Sequence, residues 1–227
     1  TAIYMSSRGV DPVYDKEKEV MIDWDIPVLE GYDHVFLEKL PFHDDERLGF
    51  WDRANFGLSE TLQNGNFDAA ILHGYQYFTN IAALYACKSA GIPVFMRGEN
   101  EDFFYRSFRK KAVRDVFVWG LKNLLDAALY IGKENKKFYL NHGFDEERLF
   151  HVPYCVDNER FHPRKEGQAK LRENLGIGDE EVLFVTASKH RRDRYVVDVI
   201  DAFSSLPNDL DASLVLLGDG PVRSELE

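Results

Sequence analysis

The chain has 227 residues, 44% of them hydrophobic and 30% charged, enough apolar material for a sizeable core and too much for a disordered or low-complexity polypeptide. Lys and Arg number 28 against 39 Asp and Glu, and a net charge of −11 repels phosphate backbones and argues against nucleic acid as a partner. Two cysteines, Cys87 and Cys155, sit in apolar stretches expected to be buried; they supply neither a disulfide framework nor a zinc spacing, and a reducing cytoplasm fits best. No apolar run of about 18 residues occurs, and the opening residues lack the features of a signal peptide.

Short apolar runs alternate with longer amphipathic stretches, the pattern of strands covered on both faces by helices in an α/β layer fold. In chain order the pattern predicts a strand at 2–6, a helix at 48–63, a strand at 69–73, a helix at 78–90 and a strand at 93–97. A helix at 104–124, a strand at 127–131, a helix at 133–141 and a strand at 150–153 follow. After them come a helix at 165–175, a strand at 182–186, a helix at 195–205, a strand at 213–217 and a helix opening at Pro221. Each helix returns the chain by a right-handed crossover, so the sheet is expected to be parallel. Gly91 and Gly143 mark two helix ends. The polar stretch 157–167, with Pro163, breaks the series and predicts a boundary between domains at 1–157 and 158–227. The second has few strands for a doubly wound sheet and the first opens without a Gly-rich turn, so the chain reads as incomplete at both ends.

Several segments could carry chemistry. The last strand runs into Gly218-Asp219-Gly220-Pro221, where glycines admit a close ligand and a helix start would present N–H groups to an anion; a plain turn is the alternative. The third residue of a dinucleotide fingerprint would fall at Arg223, which disfavours hydride transfer and an NAD-dependent epimerase. Lys189, Arg191, Arg192 and Arg194 follow the strand ending at Thr186, at the carboxyl end where open α/β sheets bind ligands. They form either a solvated basic turn or a receptor for a diphosphate. His73 ends another strand, beside one that ends in Arg97, Gly98 and Glu99, so a His, an Arg and a Glu converge unless His73 is an ordinary buried histidine. Arg106, Arg109, Lys110, Lys111 and Arg114, interleaved with Phe103, Phe104, Tyr105 and Phe108, could meet anionic lipid or simply solvate a packed helix. No nucleophile triad, paired-carboxylate signature or metal motif is present, and no metal is expected.

These pieces resemble the family-four retaining glycosyltransferases of the GT-B fold, in which two Rossmann-like domains face a donor cleft. The resemblance rests on 24–32 (Trp-Asp-Ile-Pro-Val-Leu-Glu-Gly-Tyr), His73-Gly74, the ordered series 126–132, Gly143-Phe144, 152–157 and Phe161-His162-Pro163, then 184–194, Asp198, Ala202-Phe203 and 218–221. It implies a cytoplasmic enzyme of glycan biosynthesis, a hexosyltransferase that moves sugar from a nucleotide-diphosphate sugar to a glycan, lipid-linked or small-molecule acceptor, with retention and without a cofactor. Lys189 and Arg194 would hold the donor diphosphate, in an order swapped from the family's Arg and Lys. Thr186, Gly218 and Gly220 would lie near the donor, and His73, Arg97 and Glu99 would face the acceptor, with His73 also near the transferring sugar. The family's first Gly-rich loop and its later Glu-x7-Glu segment have no match in the chain, so the polypeptide alone is expected not to turn over. The alternative is a relative that binds sugar nucleotide or a partner without catalysis.

Overall fold

A computed structural model describes every residue except 9, 11, 16–19, 25, 42–48, 52, 103–107, 163–164 and 227. In chain order its elements are β1 (Ala2–Tyr4), β2 (Val13–Asp15), β3 (Val20–Ile22), β4 (His34–Phe36), α1 (Leu58–Asn64), β5 (Ala70–His73), α2 (Phe78–Ser89) and β6 (Val94–Arg97). Then come α3 (Phe108–Leu124), β7 (Ala127–Tyr130), α4 (Lys133–Asn141), β8 (Leu149–His151), α5 (Lys165–Leu175), β9 (Val182–Ala187), α6 (Val196–Ser204), β10 (Ala212–Leu217) and α7 (Arg223–Leu226). The chain divides into two compact units, Thr1–Arg8 with Leu29–Cys155, and Gly9–Val28 with Val156–Glu227.

The first unit is built on a parallel sheet in the order β5-β6-β7-β8, with a separate parallel pair β1-β4. Strands covered on both faces cannot show clean alternation, and in β7 Ala127, Ala128 and Leu129 are all buried. The helices that connect these strands fill the core: Leu84 and Cys87 from α2, Val118 and Leu121 from α3, and Phe138 and Tyr139 from α4 pack with Val94 and Met96 of β6. Burying side chains of this size stabilises by about 1.5–3 kcal/mol each. Asp126 fixes the start of β7 against β6, accepting the Val94 N–H at 2.7 Å and pairing with Lys88 at 3.1 Å. Burial opposes its charge, but these bonds outweigh burial and hold the carboxyl below its ordinary range. In the second unit β9 and β10 form a parallel pair in register from Val182↔Ala212 to Ala187↔Leu217, and β2 and β3 form an antiparallel pair.

The helix expected over 48–63 is reduced to α1. Its N-cap is Gly57 at φ 76°, and just before it Asn55 forms a bridge to Lys39 instead: Leu40 N–H donates to the Ala54 carbonyl at 3.1 Å and Phe56 N–H to that of Glu38 at 2.7 Å. Leu48, the expected start, lies outside the described residues, as do the first four positions expected for the 104–124 helix, Asp25 and Pro163. The antiparallel pair β2-β3 and strand β4 were not legible, because three-residue strands are too short to show a period. Cys155 is a correction: it is exposed, in the irregular segment after β8, while Cys87 is fully buried and its thiol is pushed up by that burial.

Candidate functional site

Parallel strands deliver the residues that follow them to one edge of the sheet, and in the first unit that edge gathers His73, Arg97 and Glu99. His73 closes β5 directly beside Arg97, the last residue of β6, in register. The backbone is pinned there: Gly74 N–H donates to the Arg97 carbonyl at 2.8 Å, and the buried Asn80 amide of α2 donates to the His73 carbonyl at 3.3 Å. Burial, and then the charge of Arg97, hold the His73 imidazole below its ordinary range, so it is neutral at pH 7. The Arg97 guanidinium donates to the Pro153 carbonyl at 3.1 Å and lies 4.5 Å from the Tyr154 ring centroid. Tyr154 in turn donates its hydroxyl to Glu99, and that bond pushes its own ionisation upward. Tyr154 is the contributor that motif spacing did not single out as a site residue. It lies 55 positions from Glu99 in the chain, and only the sheet order brings the two together.

In the second unit the loop after β9 is zipped against the turn after β10. Ser188 N–H donates to the Leu217 carbonyl at 3.0 Å, His190 N–H to that of Asp219 at 2.9 Å, and Val222 N–H to that of His190 at 3.1 Å. Lys189 therefore lies alongside Gly218 and Asp219, and Thr186, opposite Leu216, is the next-to-last rung of the ladder, which ends at Ala187. Gly218 and Gly220 make this approach possible. They adopt φ 151° and 153°, and a Cβ would fall 1.8 Å from the Ser188 carbonyl oxygen at the first and 2.5 Å from that of His190 at the second.

Two expectations about this loop change. The turn does not present the N–H groups of a helix start, because α7 has four residues and the amides of Gly220, Val222 and Arg223 are bonded to Asp219, His190 and Gly220. The four cations are not left to repel one another either, since Arg191 pairs with Asp193 at 2.9 Å and Arg192 with Glu225 at 2.7 Å. Arg194 is exposed and has no acidic partner among the described residues. His190, absent from the expected site, is buried with its Nδ1 unbonded, and Ser188 Oγ beside it is also shielded and unbonded.

The basic stretch on α3 is only partly outward. Arg114 is 11% exposed, pairs with Asp102 at 2.7 Å and Asp115 at 3.1 Å, and covers the Phe138 ring, so it is not available to lipid. Lys111 pairs with Asp115 at 2.6 Å, and Arg109 is exposed. Arg106, Phe103, Phe104, Tyr105 and the side chains of Phe108 and Lys110 lie outside the described residues. Among the described residues no helix is long and apolar enough to cross a membrane.

Comparison with known proteins gives partial likenesses. No family profile matches the chain. Over 107 residues, 47% of the chain, it is 27% identical to N-acetyl-alpha-D-glucosaminyl L-malate synthase of Bacillus anthracis, and the match spans 25% of that protein. The structure of Anabaena HepE in complex with UDP and glucose superposes with a TM-score of 0.52 at 13% identity, covering 85% of this chain and 49% of that one. UDP-N-acetylglucosamine 2-epimerase from Rickettsia bellii superposes at 0.40 with 16% identity, covering 74% and 43%. The chain thus spans about half or less of the length of the proteins it matches. What the likeness to HepE shows is the fold, the α/β arrangement of Rossmann-like parallel sheets expected of a GT-B protein.

Proposed function

We propose that this chain belongs to a glycosyltransferase that moves a hexose from a nucleotide-diphosphate sugar, a UDP-sugar, to an acceptor with retention of configuration. The observation that carries the reading is the loop after β9, where Ser188 and His190 are locked by backbone bonds against the Gly218–Gly220 turn with Lys189 between them and Arg194 four residues beyond His190, at the carboxyl ends of β9 and β10. The partial identity with a synthase named for a glucosaminyl product, and the fold shared with a protein crystallised with UDP and glucose, support the same reading.

The chemistry follows from charge. As the bond from sugar to phosphate breaks, negative charge accumulates on the leaving diphosphate, and fixed cations stabilise that state more than the ground state. Lys189 and Arg194 supply those cations, and Thr186, Gly218 and Gly220 border the donor. Departure and attack occur on the same face, so no protein nucleophile is required. His73, neutral near pH 7, faces the acceptor together with Arg97 and Glu99 and can take a hydrogen bond from the attacking hydroxyl.

Titration calorimetry of the chain with UDP tests the donor half of the reading. UDP is expected to bind, and Arg194→Gln to weaken binding about tenfold or more, the loss of one charge-assisted contact. Equal affinity in the variant would remove the assignment.

A further inference from the structure

Arg97 stands out among the arginines of the first unit. Arg114 has two carboxylates, and Arg148 has Asp145 and the carbonyls of Lys122, Leu125 and Asp126. Arg97 is half-buried, its Nε is sealed from solvent without a hydrogen bond, and one terminal nitrogen has the Pro153 carbonyl as its acceptor. No carboxylate pairs with it among the described residues. A half-buried guanidinium without a counter-charge is unfavourable, and an outside anion would complete it.

The surroundings favour such a guest. Tyr154 stacks on the guanidinium and limits its rotation, and with Nε sealed the end that carries the two terminal nitrogens, one of them also bonded to the Pro153 carbonyl, is the part that can meet a carboxylate or phosphate. His73 stands beside it in register and can donate or accept a hydrogen bond. Helix α2, which starts five residues after His73, has no acidic residue in its first turn and no side-chain cap. The nearest acid in the chain, Glu99, is exposed and is engaged by the Tyr154 hydroxyl.

We infer that Arg97 is the receptor for a small oxyanion, a carboxylate or a phosphate, carried by the acceptor molecule, with Tyr154 orienting the guanidinium and His73 flanking the bound group. Calling that molecule an acceptor rests on the transfer reading above; the anion site does not. It would select acceptors bearing a negative group near the attacking hydroxyl over neutral sugars.

Two probes distinguish the sources, inorganic phosphate and malonate, each titrated into the chain at low salt by calorimetry and by NMR of the histidine ring protons. At least one probe is expected to bind and to move the His73 resonance, identified by its loss in His73→Gln. Arg97→Gln is expected to weaken that binding tenfold or more, and Arg97→Lys, which keeps the charge but not the fork, by less. Phosphate alone binding marks a phosphorylated acceptor, malonate alone a carboxylate, and either result supports the site. Binding lost in Arg194→Gln but retained in Arg97→Gln, or no shift of His73 with either probe, overturns it. Should Arg97→Gln fail to fold, the Arg97→Lys titration and the His73 shift decide. The two readings fail separately: phosphate or malonate engaging Arg97 while UDP does not bind defeats the transfer reading and keeps the anion site.

Discussion

Replacing Gly218 by alanine tests whether the zipped loops are held by backbone contact. The new Cβ would lie 1.8 Å from the Ser188 carbonyl oxygen and 3.0 Å from its carbon, at a φ of 151° that alanine rarely adopts. Backbone cannot rotate aside as a side chain can, so the end of β10 and residue 188 must separate by more than an ångström. That separation breaks the bonds from Ser188 to Leu217 and from His190 to Asp219, 3.0 and 2.9 Å long. Two hydrogen bonds at about 1 kcal/mol each, with about 1–2 kcal/mol for the backbone angle, give a destabilisation of about 3–4 kcal/mol. The control is Gly176→Ala in the same unit, where φ is 69° and a Cβ meets nothing within 4 Å; there only the angle matters, at about 1 kcal/mol. Urea denaturation gives the two values, and hydrogen exchange at the amides of 188, 190 and 222 locates the damage. Equal costs at the two glycines, or unchanged protection in Gly218→Ala, would refute the close-contact argument.

Four further outcomes are expected. In the complete protein, Arg194→Ala lowers sugar transfer by about 100-fold, the loss typical of removing one transition-state donor, and unchanged turnover at saturating donor counts against its role. Arg114→Ala removes one partner from Asp102, which keeps Asn141, and from Asp115, which keeps Lys111 and His142, and uncovers Phe138, costing about 1–2 kcal/mol by denaturant titration. Burial opposes ionisation of Asp115, but hydrogen bonds from Lys111, His142 and Arg114 outweigh it and hold the carboxyl well below its ordinary range. The unfolded chain therefore binds that proton more readily: the stabilisation is complete above about pH 4 and is lost as pH falls further, with a shallower loss in Arg114→Ala. Finally, Tyr195 is exposed and left-handed at φ 55°, so Tyr195→Asn raises stability by about 0.5 kcal/mol, seen as a higher unfolding midpoint.

The parallel core strands were readable because runs such as 94–97 and 127–130 are apolar, short and bounded by helical stretches, and burial on both faces demands that composition. What the sequence hid was governed by partners far away in it. The stretch expected to open a helix looks amphipathic, but Asn55 sends its amide to the Met5 carbonyl at 2.9 Å and its neighbours Ala54 and Phe56 pair with 38–40, which keeps 54–56 out of a helix. The candidate sites divide in the same way. His73, Arg97, Lys189 and Arg194 could be proposed from their places at strand ends, whereas which cations already own a carboxylate could not. Arg192 and Glu225 are 33 positions apart, and Arg114 and Asp102 are 12 apart.

The different fates of the two thiols have a practical consequence. Cys87 is sealed in the core with its ionisation suppressed, while Cys155 is exposed one residue beyond Tyr154. A maleimide dye should therefore attach at a single defined position without any engineering. Its emission would report, in real time, whatever comes to rest on the ring that braces Arg97.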